Sequence, residues 1–445
     1  MAIVKSAGRK NTLDKILFGA MTALVLLGLL CIMSAVNTLG FSGSVVRTHL
    51  IALPLGFTAF FLAYRFNYQI FDEQWKPLYG VIWALLVGVL ILGTYQRGSK
   101  SWFVLPFFSF QPAELCRVLI ILVAAAFLDR QGRSIRDLRT LFLLGCLVAP
   151  VFGLIMMQPD FSSIVITFPA LLMLLFCAGV NIFYLALVIV FAAVSGFFVI
   201  AWTYLYLHPA LRDYTLLNIF ANLASNIWYM LGFVGFLGVL GYAVHWVFKQ
   251  FRITLPVFYI VVTGLVILAG FFAGVFVDRQ MKPYQRKRVE AFLAPHSDPQ
   301  GASYNVLQAQ IAMGSGGVWG KGLFSGTQSR LGFVPEKHTD FILAVVGEEL
   351  GLWGTLLVLG LYLLILWRIV IIAYMASDRY GYLVCGGIFG MFLTYMLINF
   401  GMLIGLFPVA GIPLPFISYG GSNLVSSMLA LGVVQSVYAR RITAG

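Results

Sequence analysis

The chain has 445 residues, of which 61% are apolar and only 10% charged, with a formal net charge of +13. A soluble domain carries about 25% charged residues, so a water-soluble enzyme is excluded and a polytopic helical membrane protein is left. A transmembrane barrel would alternate in segments of about 10 residues; here the apolar residues come in unbroken runs.

The N-terminal stretch MAIVKSAGRKNTLDK is basic, but the apolar run behind it is too long for a signal-peptide core and ends in no small-residue cleavage pattern. It reads as a retained first helix. Runs long enough for a hydrocarbon layer of about 30 Å predict twelve spans, at 16–36, 48–64, 77–95, 111–128, 141–157, 162–180, 182–206, 226–247, 254–277, 341–366, 382–402 and 419–438. With the N-terminus in the cytoplasm, Arg130, Arg133, Arg136 and Arg139 share one inner loop, and Arg440 and Arg441 end the chain inside. The short outer loops keep only Arg47, Arg97, Lys100 and Arg212. This bias of basic residues sets the orientation, with both termini cytoplasmic. It also accounts for the net charge without nucleic acid. Cys31, Cys116, Cys146, Cys177 and Cys385 lie in or beside apolar runs without CxxC spacing, and read as packing residues. No repeat or separate soluble domain is visible, so 1–445 reads as one membrane domain.

Ionisable groups inside apolar runs cost several kcal/mol unless paired, which makes each a candidate. In FQPAELCRV, Glu114 and Arg117 stand at i and i+3 on one helical face. They form either an intrahelical pair that makes the helix tolerable in lipid or one wall of a polar cavity. In QPDF, Asp160 is placed to cap the next helix together with Ser162 and Ser163. In GEEL, Glu348 and Glu349 lie too far into their helix to cap it, and neighbours about 100° apart cannot share one partner. The Gly/Pro-rich run from Ile398 to Ser427 carries no charge; irregular backbone at that depth lines a cavity or is buried in protein. Gly386, Gly387 and Gly390 form a close-approach face that suits either a partner's helix or packing within the bundle.

The one long polar stretch runs from Asp278 to about residue 340 and falls on the outer side as a long extracytoplasmic loop. Extended to Leu350, it holds 8 of the 29 basic residues and 7 of the 16 acidic ones. Chemistry on a membrane protein needs charged groups that water and headgroups reach, and this is where they are dense. Within it GSGGVWGKG has the glycines of a phosphate loop but not the GxxxxGK[ST] spacing, so its glycines read as turn-formers.

The runs FQPAEL, QPD, DPQGASY, IAMGSGGVWGKGLFSGTQ, VPEKHTDFILAVVGEELG and PLPFISYGGS resemble the RodA/FtsW (SEDS) family of peptidoglycan glycosyltransferases, over nearly the whole chain. The GTQ after GKGLFS and the wording GIPLPFISYGG are closer to the elongation branch, RodA, than to the division branch. The resemblance implies a ten-helix enzyme that polymerises lipid II into glycan strands outside the cytoplasmic membrane, beside a class B penicillin-binding protein. It implies that Asp298, before Pro299, Gly301 and Tyr304, is the catalytic aspartate, and that Glu114 and Arg117 are the family's intramembrane pair. With the resemblance in hand, Arg286, Lys287, Arg288 and Lys321 are suited to contact a diphosphate, with Tyr304 beside them. A divalent cation on the diphosphate is chemically compatible, although no ligand spacing demonstrates one.

The chain departs from the family at Arg117, where lysine is commoner, at Phe161-Ser162-Ser163 after QPD, and at Asn423 in SYGGSN. The largest departure is an inserted segment, 207–280, with two extra spans expected to be peripheral to the chemistry. Two other classes remain compatible: a lipid II flippase or other transporter using Glu114, Arg117 and Glu348, and a non-catalytic scaffold of the wall-building machinery. The outer DPQGASY run favours the enzyme, because a flippase needs no exposed base.

Overall fold

The computed structural model describes residues 12–36, 42–96, 99–104, 109–254, 256–281, 283–294, 302–330 and 337–441. In chain order the elements open with α1 (Lys15–Val36), α2 (Ser42–Arg65), α3 (Gln69–Glu73) and α4 (Trp75–Leu92). Three short strands follow, β1 (Thr94–Gln96), β2 (Ser99–Val104) and β3 (Ser109–Phe110). Next come α5 (Pro112–Gln131), α6 (Leu138–Met157), α7 (Phe161–Ala178), α8 (Ile182–Leu207), α9 (Thr215–Ala221), α10 (Ile227–Gln250) and α11 (Val257–Gln280). The polar stretch supplies α12 (Pro283–Leu293), α13 (Ala302–Ser315) and α14 (Thr327–Arg330), and the chain closes with α15 (Ile342–Tyr374), α16 (Arg379–Leu403) and α17 (Gly421–Ala439).

Each of the twelve expected spans coincides with a long helix. Among the described residues eleven are apolar enough to cross a membrane on hydropathy alone. The twelfth, α5, carries Glu114, Arg117, Asp129 and Arg130. It tolerates them because it is buried almost all round, packed against α4, α6, α7, α16 and α17. The strands between α4 and α5 form an antiparallel sheet in the order β1-β2-β3, a feature that the hydropathy of the run does not foretell.

The chain divides into two compact units, Met1–Val180 with Asn305–Gly445, and Asn181–Tyr304. In the first, α17 lies along α2, α16 along α7, and α15 against α16 and α1. Close approach explains several glycines: a Cβ on Gly432 would stand 2.5 Å from the Phe60 carbonyl oxygen. The glycine face of α16 is used inside the bundle. A Cβ on Gly387 would meet Ile121 of α5 at 2.4 Å, and one on Gly390 would meet Met173 of α7 at 2.6 Å. This face therefore serves the bundle and leaves no room there for a partner helix. Asp14 joins three helices: its carboxylate caps α1 through Leu17 N (2.9 Å) and accepts from Arg368 Nε of α15 (3.1 Å), and its backbone N–H and C=O bond the side-chain amide of Gln435 of α17 (3.0 Å each).

In the second unit, α11 packs along α8. Gly270 and Gly274 bring its backbone onto that of α8, where an added Cβ would stand 3.0 Å from the Phe191 and Ser195 carbonyl oxygens. Phe198, Leu223 and Phe271 form the core of this unit. By contrast α10 buries no residue.

Candidate active site

Among the described residues of the first unit, two polar clusters gather the site residues expected from the sequence. The first is assembled from segments hundreds of residues apart. At the start of α5, Pro112 leads the first turn, as suits a residue without an N–H, and Glu114 and Arg117 follow on one face. Arg117 Nη1 donates to Glu114 Oε2 at 2.7 Å, and the side chains are 2% and 9% exposed, so this is a buried ion pair. Tyr395 of α16 contacts both partners, accepting from Arg117 and donating to Glu114 at 3.2 Å. Asn423 of α17 donates to Glu114 Oε2 (3.2 Å) and to the Tyr395 hydroxyl (2.7 Å). On the other side Arg117 Nη2 donates to Ser163 Oγ (3.1 Å), which in turn donates to Asp160 Oδ2 (2.7 Å).

Asp160 caps α7 through Ser163 N (3.3 Å), takes the Ser162 hydroxyl (2.7 Å) and takes the Gln111 amide (2.7 Å). Gln111 N closes the circuit on Ser422 Oγ at 2.9 Å. The motifs QPAE, QPD and SYGGSN thus meet in one network. Burying its charges is tolerable because almost every polar atom has a partner; Arg117 Nε has none among the described residues.

The second cluster holds the glycine-rich run against α15. That helix is broken at Gly351, whose φ of 66° and ψ of −159° are not helical. The break frees backbone groups, and Lys321 N and Gly322 N donate to the carbonyl oxygens of Glu348 (3.0 Å) and Glu349 (2.9 Å), while Leu352 N donates to Gly317 O (3.0 Å). Glycines are required on both sides: a Cβ on Gly320 would stand 2.2 Å from Glu349 O, and one on Gly351 would stand 2.4 Å from Gly320 N. Gly317, Gly320 and Gly322 also have positive φ, where other residues are strained.

The two glutamates point to different partners. Glu348, fully buried, accepts from Gln328 N (2.7 Å), Ser329 N (2.9 Å), Thr327 Oγ1 (3.2 Å) and Lys321 Nζ (3.0 Å). Glu349 takes the Ser34 hydroxyl of α1 and Phe324 N at 3.3 Å. Lys321 Nζ also donates to Ser315 Oγ and Thr327 Oγ1 (2.7 Å each), so all three donors of its ammonium are engaged inside the protein. Lys337 donates to Ser329 O, and burial pushes its ammonium below the usual lysine range.

The remaining sequence-derived site residues belong to the second unit. Arg286 pairs with Asp278 at 2.9 Å and lies over the Tyr206 ring at 6.0 Å. Lys287 is exposed, and Arg288 and Tyr304 are half-buried. Asp298, with Pro299 and Gly301, lies outside the described residues. Among the described residues no three His, Cys, Asp or Glu side chains converge as metal ligands. Tyr395, Ser34 and Lys337 escaped the sequence reading. A lone tyrosine or serine in an apolar run carries no local signal; Lys337 stands in the quoted VPEKHTD run and was passed over.

Fold and clusters define a polytopic helical membrane protein with a buried acid–base network and a glycine-rich run folded onto a broken helix. A family model described as a cell cycle protein family, FtsW/RodA/SpoVE, matches residues 14–228 and 222–442, and the chain belongs to that family. It is 32% identical over 370 residues to the peptidoglycan glycosyltransferase MrdB of Escherichia coli (strain K12), covering 83% of this chain and 79% of that one. It is 31% identical over 444 residues to the peptidoglycan glycosyltransferase RodA of Treponema pallidum (strain Nichols), covering 96% and 98%. Among solved structures, one reported under the structural coordination of polymerization and crosslinking by a peptidoglycan synthase complex matches with a TM-score of 0.62 at 25% identity, covering 96% of this chain and 98% of that one. The crystal structure of Thermus thermophilus rod shape determining protein RodA matches with a TM-score of 0.60 at 23% identity, over 97% and 98%, and supports the fold.

Proposed function

We propose that this chain is a peptidoglycan glycosyltransferase that polymerises lipid II into glycan strands at the outer face of the cytoplasmic membrane, with both termini inside. The observation that carries this is the match along 96% of the chain to a relative named for that activity. In the reaction a sugar hydroxyl attacks an anomeric carbon. The new C–O bond forms as the bond to the lipid diphosphate breaks, and the hydroxyl proton passes to a base. Asp298 is that base, the acidic residue of the DPQGASY run. Arg286, Lys287 and Arg288 offset the charge that grows on the leaving diphosphate, with Tyr304 near the DP-containing run in sequence. The networks around Glu114 and Glu348 act as positioning devices, fixing the helices and the glycine-rich run. A class B penicillin-binding protein that crosslinks the strands is the expected partner. Its helix is proposed to lie on the exposed stripe of α15 that carries Trp353, Leu357 and Trp367.

Purified protein given labelled lipid II, with products sized on a gel, tests the reading. Wild type should give long polymer, and Asp298→Asn, which keeps shape but accepts no proton, should give none while eluting as folded protein. Near-normal polymer from Asp298→Asn would remove that residue as base; no polymer from wild type would favour transport or scaffolding.

A further inference from the structure

A cavity of about 220 Å³ opens wholly within the second unit, at the end of α8 and α11 next to α12. Its wall holds three guanidinium groups, Arg212, Arg279 and Arg286, against one carboxylate, Asp278. Asp278 is already committed to Arg286 at 2.9 Å. Arg212 and Arg279 have no hydrogen bond or ion pair among the described residues. The cavity therefore presents two uncompensated positive charges. Trp202 and Tyr206 line its side, the residue types that mark the level of lipid headgroups. Basic pockets between helices at that level suit anionic headgroups, and planar guanidinium groups suit phosphate oxygens two at a time.

We infer that this cavity binds the phosphate group of a membrane lipid. The chemistry is shared by a bilayer phospholipid and by a polyprenyl diphosphate. Arg212 sits in the segment between α8 and α9 and Arg279 in the last turn of α11, so both free arginines come from the segment 207–280. The site would anchor that segment to the bilayer through a bound lipid, whether or not the chain polymerises glycan.

Native mass spectrometry of the full chain in detergent tests this, with dioleoylphosphatidylglycerol, undecaprenyl diphosphate and zwitterionic dioleoylphosphatidylcholine titrated in turn. The variant Arg212→Gln/Arg279→Gln should lose about thirtyfold in affinity for an anionic probe, the effect of two basic residues at an anionic surface. Arg212→Lys/Arg279→Lys should keep most of the binding, which separates charge from folding. Loss confined to phosphatidylglycerol assigns a bilayer lipid, and loss confined to undecaprenyl diphosphate assigns the polyprenyl carrier. Equal binding of all three lipids by wild type and the Gln variant would overturn the inference. Because the readout is binding, failure here leaves the lipid II assay untouched, and the reverse also holds.

Discussion

Glu114 and Arg117 show how a charge survives in an apolar helix. Glu114 is held by Arg117, Tyr395 and Asn423, and Arg117 by Glu114, Tyr395 and Ser163. Removing one partner leaves an uncompensated buried charge, which costs about 3–5 kcal/mol. Glu114→Gln and Arg117→Met should therefore each lower the melting temperature in detergent sharply, and the double change should cost less than the two summed. Strict additivity in that cycle would mean that the pair is not coupled. Tyr395→Phe removes only the bridging hydroxyl and should cost about 1–3 kcal/mol by leaving polar groups short of a partner. The pairing of Glu114 with Arg117 is legible in the sequence, since i and i+3 are neighbours on any helix. The closure of the network is not: Tyr395 and Asn423 lie 281 and 309 residues from Glu114, and no local pattern links them.

At the scale of elements, the helices were readable and their irregularities were not. Hydropathy alone locates eleven of the twelve long helices among the described residues, because lipid demands continuous apolar runs with internally satisfied backbones, while α5 is charged and sheltered by its neighbours. The small β-sheet before α5 and the break in α15 depend on tertiary partners instead. Gly351 is the test. Alanine there must adopt φ 66° with ψ −159°, a region essentially reserved for glycine, at about 1–3 kcal/mol, and its Cβ would also press on Gly320 N and Val318 O. Gly351→Ala should lower stability by more than the backbone term alone and expose 316–330 to protease. A variant that melts and resists proteolysis like wild type would mean that the run is not held by the break. The glycines of α16 belong to the same scale. Gly387→Leu should destabilise the bundle itself, seen as a lower melting temperature before any partner is added.

For the whole molecule, the division into two units puts residues 207–280 inside the second one. Within the second unit α10 buries nothing, whereas α11 shares the aromatic core of α8. Replacing residues 207–281 by a short linker should leave the first unit folded, with its own network intact. It should strip α8 of its partner and lower, without abolishing, lipid II polymerisation in vesicles. A folded, correctly inserted deletion with no activity would mean that α10 and α11 build part of the substrate cavity. The spans of α10 and α11 are legible as apolar runs; that α11 is fused to the seventh span by Gly270 and Gly274 is not, because small-residue spacing does not say which neighbour it faces.

The clasp between Glu348 and residues 321–329 has a mechanical meaning. Four donors from the polar run end on one carboxylate at the head of α15. The clasp rivets the run to the short arm of α15 ahead of Gly351, while the exposed stripe belongs to the long arm behind it. The break is thus the elbow through which any push on the long arm must pass before it reaches the polar run.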